Sequence, residues 1–224
     1  MPEREIAMPE RDGPGTKIDD YVCRFDMQAG WVDLTLHEET EQEAEEVARG
    51  AMEFLYPLAL PNEESSLFRG IVKRALELNE DGPILAAQYF SLGGVKLADL
   101  VVDSYGEDGV PRPSPEEVQP LLLQWSNVEI AGEPKVTRVG LAVGETIRVQ
   151  AGLQRKIFPG FSRRTGEFIK YAVFPPGTEE IIVATVTWRR ASRSAEIVQV
   201  VDDLMSTMRN IPVDAEGNEI ERLS

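Results

Sequence analysis

The 224-residue chain predicts an α+β domain, an antiparallel β-sheet covered by helices. Three features carry that expectation. Short runs of alternating apolar and polar residues lie near the start of the chain and again in its last third. Two helix-spaced apolar stripes stand between them. Neighbouring strand-like runs are joined by turns too short for the crossover that a parallel pair requires.

Residues 1–19 are rich in Pro, Gly and charge and hold too few apolar side chains to offset the entropy of ordering, so they are expected to be disordered. A single domain is expected over 20–211 and a polar tail over 212–224. Tyr21–Phe25 and Trp31–Leu36 alternate on either side of Gly30, the pattern of a β-hairpin. Thr40 and Glu43 make a capping-box pair, and Ala44, Val47, Ala48, Ala51 and Leu55 follow at helical spacing up to Pro57. A second helix after Asn62 carries Phe68, Ile71, Val72 and Ala75 on one stripe, with Arg69, Lys73 and Arg74 outside it, and ends at Asp81-Gly82-Pro83. Two strands, Ile84–Leu92 and Val95–Tyr105, flank Gly93-Gly94 as a tight hairpin. Ser114-Pro115-Glu116-Glu117 starts a helix that Pro120 keeps short.

The last third alternates most regularly. Ile147, Val149, Ala151 and Leu153 interleave with Thr146, Arg148, Gln150 and Gln154 in a half-buried strand, and Glu167–Phe174 and Glu180–Trp188 give two more. Ile182, Ala184, Val186 and Trp188 are expected to face the core, with Thr185 and Thr187 opposite. Ser192 opens a helix striped by Ile197, Val201, Leu204 and Met208.

Charge and composition narrow the functional classes. A net charge of −16 repels phosphate backbones and anionic lipid heads, so neither nucleic acid nor a membrane is an expected partner, and a basic protein would complement the surface. The lone Cys23 cannot close an internal disulfide, no segment approaches the roughly 20 apolar residues of a membrane span, and the N-terminus lacks a signal-peptide pattern. A cytoplasmic location is expected.

The passage from Val139 to Ile211 carries a resemblance. Its residues are Gly144-Glu145-Thr146-Ile147-Arg148-Val149, Ile169–Pro175, Ile181–Trp188 and the helix beginning Ser194-Ala195-Glu196. This passage resembles uncharacterised actinobacterial proteins whose layout is similar to the PsbP-like (Mog-type) fold. The resemblance implies an antiparallel sheet flanked by helices and a binding or accessory role, and it transfers no functional residue.

The residues offer little catalytic machinery. His37 is the only histidine, and His37-Glu38-Glu39-Thr40-Glu41 begins like the zinc signature H-E-x-x-H without its second histidine. Gly93-Gly94 lacks the spacing of a phosphate-binding loop, and Gly160-Phe161-Ser162-Arg163-Arg164 lacks the second glycine of a nucleophile elbow. Asp99 and Asp103, four apart on a strand, share a face and are expected as solvated carboxylates. The run from Asp214 lacks the glycine and final glutamate of a calcium loop. No catalytic residue, cofactor or metal is expected.

Two segments remain as interaction surfaces. One is the acidic helix start, Glu38, Glu39, Glu41, Glu43, Glu45 and Glu46. The other is a basic and aromatic loop with Arg155, Lys156, Phe158, Phe161, Arg163 and Arg164, in which the two Phe residues either cap the core or contact a partner. The leading functional expectation is a non-enzymatic protein-interaction module, an adaptor or accessory component of a larger assembly. The alternatives are an acidic chaperone for a secreted or assembled partner, and a small-ligand binder or enzyme built on the sheet-face carboxylates and Arg148.

Overall fold

The structure, a computed structural model, describes residues 20–55, 61–91, 94–107, 109–125, 128–158 and 161–220, without side chains at 61–63, 155–158 and 161–165. The N-terminal segment expected to be disordered lies outside the described residues, as do Pro57 and the Leu92-Gly93 part of the predicted turn. The chain divides into two compact units, 1–24 with 210–224, and 25–209.

In the first unit, β1 (Asp20–Arg24) pairs with β9 (Arg209–Val213) in a two-stranded sheet. This corrects the hairpin expected at Gly30, because β2 (Trp31–Asp33) joins a different sheet. Adjacency in sequence suggested a pairing that the long-range partner displaced. Beyond β9 the polar run folds back on itself: Asp214 Oδ1 accepts from the Asn218 amide N–H at 2.8 Å, and Val213 bridges Glu219.

The second unit is built on a seven-stranded sheet of order β2-β3-β4-β8-β7-β6-β5. Its other strands are β3 (Leu85–Phe90), β4 (Lys96–Tyr105), β5 (Glu129–Leu141), β6 (Gly144–Phe158), β7 (Phe161–Phe174) and β8 (Ile181–Trp188). Every neighbouring pair is antiparallel. The expected α+β class therefore stands, with β3–β4 the predicted hairpin.

Register defines the two faces. On the first, Ala86, Val101, Thr185, Lys170, Val149 and Val136 lie opposite one another in a row across six strands. Helices α1 (Glu41–Leu55) and α2 (Pro61–Leu78) cover the Ala86–Val101 end with Ala44, Ala48, Ala51, Ile71 and Ala75. The short α3 (Pro115–Val118) and the following 3-10 turn, Leu121–Leu123, cover the other end through Val118 and Leu122. On the opposite face α4 (Ser194–Ser206) buries Ile197, Val201, Leu204 and Met205.

Helices on both faces change the burial expected of β6. Ile147, Val149, Ala151 and Leu153 are buried as predicted, but so are Thr146 and Arg148 on the α4 side. Alternation of residue type indicated a half-buried strand; hydrogen bonding lets the polar side be buried as well. The Arg148 Nε donates to Tyr171 Oη at 3.1 Å and to Asp202 Oδ1 of α4 at 3.0 Å. The α4 start also shifts slightly, since Ser192 sits in a 3-10 turn, Ala191–Arg193, ahead of the helix.

Local caps follow the sequence closely. Ser114 and Glu117 form a reciprocal capping box, and α3 ends before Pro120. At α1 the pair is one-sided: the Glu43 amide donates to Thr40 Oγ1 at 3.2 Å, while the Glu43 carboxylate accepts from the amides of His37 at 2.7 Å and Glu38 at 2.8 Å. Those backbone bonds hold its pKa below the ordinary glutamate value. Asn79, buried after α2, donates to the carbonyls of Leu34 and Ala75 and accepts from the Leu36 amide, tying the α2 end to the segment between β2 and α1.

Candidate functional site

The hairpin of β6 and β7 extends past its neighbours. β5 pairs with β6 only as far as Gln154, and β8 pairs with β7 only from Glu167. From Arg155 to Phe158 and from Phe161 to Arg164 the two strands pair only with each other among the described residues, Arg155 opposite Arg163 and Phe158 opposite Phe161. The basic and aromatic segment expected as a loop is thus a β-ribbon arm, with Pro159 and Gly160 outside the described residues. Whether its phenylalanines cap the core falls on side chains outside the described ones.

The arm leaves the sheet at an irregularity. Register slips between Leu153 and Gln154, where Leu153 faces Gly166 and Gln154 faces Arg164. A Cβ at Gly166 would collide with the backbone carbonyl of Trp188, so glycine permits the close approach of β7 to β8 at the arm's root.

Beside that root lies an open cleft of roughly 590 Å³ on the α2 side of the sheet. Leu153 and Gly166 line it together with Arg74 of α2, Lys96 of β4, and Arg189 and Arg190 just after β8. These cations meet because antiparallel register sets Ala98 of β4 opposite Trp188 of β8. Trp125 forms part of the wall, and the Lys170 ammonium lies 4.3 Å from its ring centroid.

Asp99 anchors the cleft floor. Its Oδ1 accepts from Gln88 Nε2 at 2.8 Å, and its Oδ2 meets Arg74 Nη2 at 3.1 Å and Lys96 Nζ at 2.7 Å. Burial pushes its pKa up, but Lys96 and Arg74 outweigh that effect and hold it below the ordinary value. Asp103 differs. Desolvation raises its pKa, with no comparable cation pair to oppose it. Asp99 is accordingly a buried member of an ion cluster, which corrects the expectation of a solvated carboxylate. Four residues along a strand separate the two aspartates by about 13 Å, too far for a shared acid–base pair. Arg148 stands on the opposite face from Asp99, with Tyr171 and Asp202, so the side chains of the catalytic alternative do not converge.

The other singled-out residues are placed locally. His37 is exposed in the turn before α1, and Glu43 of the acidic group serves to cap that turn. Burial pushes the Cys23 thiol up to about 12, leaving it protonated and a poor nucleophile at neutral pH. Sequence reasoning did not single out Lys96, Arg189, Arg190 or Trp125. The adjacent Arg189-Arg190 was a visible signal, but its junction with α2 and β4 depends on long-range register.

No model of a known protein family matches the chain, and no curated protein is similar enough to count as a relative.

Proposed function

We propose that the protein is a non-enzymatic interaction module, an adaptor or accessory component of a larger assembly, that engages a partner protein through the arm of β6 and β7. The observation that carries this reading is the unflanked ribbon bearing Arg155, Lys156, Phe158, Phe161, Arg163 and Arg164 on a chain of net charge −16. A two-stranded ribbon leaves backbone groups on both outer edges open to pairing, and Arg with aromatic residues dominates interface energetics. Register sets Arg155 directly opposite Arg163, a like-charge pair that an acidic partner surface would relieve.

Two further observations support this reading. The antiparallel sheet flanked by helices agrees with the PsbP-like layout implied by the resemblance, and binding roles prevail in that fold. No helix among the described residues is long and apolar enough to cross a membrane. We place the interaction in the cytoplasm, in keeping with the single cysteine.

Affinity capture with the intact chain and with Arg163→Ala/Arg164→Ala tests the assignment. The variant is expected to recover at least about tenfold less of a defined partner protein, while its melting temperature stays within about 2 °C. Undiminished recovery, or loss of recovery accompanied by unfolding, contradicts a direct contact through these residues.

A further inference from the structure

The cleft at the arm's root has the chemistry of a small-anion site. Four cations line it together with the carboxylates of Glu77, Asp99 and Glu167, and two of the cations are already engaged: Arg74 with Asp99 and Glu77, and Lys96 with Asp99. The guanidinium groups of Arg189 and Arg190 have no hydrogen-bonding or ion-pair partner among the described residues, and both residues are exposed. Two uncommitted guanidiniums match a dianion, because each can present paired N–H donors to phosphate or carboxylate oxygens.

Part of the lining is apolar. Trp125, Val128 and Leu153 form it, with the Trp125 ring held between Lys170 and an edge-on contact with Phe168 at 5.0 Å. Two buried donors of cleft residues, Arg74 Nε and Trp125 Nε1, meet no acceptor among the described residues.

We propose that this cleft binds a phosphate monoester with a compact apolar or aromatic body, its dianion on Arg189 and Arg190 and its body against Trp125, Val128 and Leu153. Asp99 keeps Arg74 and Lys96 in place and closes the floor to a second anion. The site is separate from the partner contact assigned to the arm and does not require that contact to exist.

The three tryptophans make the test direct, since Trp125 and Trp188 line the cleft whereas Trp31 packs at a tilt against Tyr89. Phenyl phosphate, inorganic phosphate and phenol are titrated separately into the intact protein while the indole N–H resonances are followed by NMR. Phenyl phosphate is expected to shift Trp125 and Trp188 saturably and leave Trp31 in place. Inorganic phosphate should bind the same site about tenfold more weakly, and phenol should give no saturable shift.

Arg189→Ala/Arg190→Ala should raise the phenyl phosphate Kd at least about tenfold, whereas Arg163→Ala/Arg164→Ala should leave it unchanged. Absence of saturable shifts up to about 10 mM, or unchanged affinity in the Arg189/Arg190 variant, overturns the anion site. Equal affinity for inorganic phosphate overturns the apolar contact, and saturable phenol binding shows only an apolar crevice, which also overturns the proposal.

Discussion

Asp99 and Asp103 share a strand and a face but respond oppositely to folding. Asp99 has its folded pKa held below the ordinary value, so its contribution to stability is present above the unfolded pKa and is lost as pH falls through the folded one. Asp103 is raised by desolvation, so its penalty is present above the folded pKa and disappears below the unfolded one. Asp99→Asn is therefore expected to cost about 1–2 kcal/mol at pH 7, discounted for the partly exposed Arg74 and Lys96, and to flatten the acid limb of stability. Asp103→Asn should be neutral or stabilising at pH 7, with its effect vanishing in acid. Urea denaturation from pH 3 to pH 7 checks both; equal losses at pH 7 contradict the contrast. Their shared face followed from the strand period, but their different environments did not, because Arg74 comes from a helix 25 residues away.

At the scale of elements, legibility followed the range of the interactions involved. The Ser114–Glu117 box, the β3–β4 hairpin and the α4 stripe each depend on residues a few positions apart, and the sequence carried them plainly. β5 was missed because Gly132 and Pro134 break its alternation, and the same residues fall where its register with β6 slips. β1 was given to the wrong partner because β9 is far away in sequence. The arm reads as a loop in sequence because its clustered charges break the apolar alternation of the strands on either side. Since no strand among the described residues flanks this arm, replacing residues 156–162 by Asn-Gly should preserve the fold and lower the melting temperature by less than about 4 °C in a thermal scan. A much larger fall would identify the phenylalanines as lids of the core.

Across the whole molecule, the chain's charge is uneven. An acidic total of −16 coexists with four cations on the arm and four more lining the cleft at its root. Under the proposed function, such a field would attract an acidic partner surface at the arm and repel it elsewhere, favouring orientation over sheer affinity. The basic residues of α2, β4 and the turn after β8 are visible singly in the sequence; the strand order β4-β8-β7-β6 brings them to one cleft beside the arm's root. The competing surface is the acidic start of α1, which would select a basic partner instead. Site-specific photocrosslinking in cells separates the two, with the reactive group introduced at Phe161 in one variant and at the exposed Glu45 in another. A discrete partner adduct from position 161 and none from position 45 is the predicted result; an adduct from position 45 alone, or from neither, contradicts the arm as the contact.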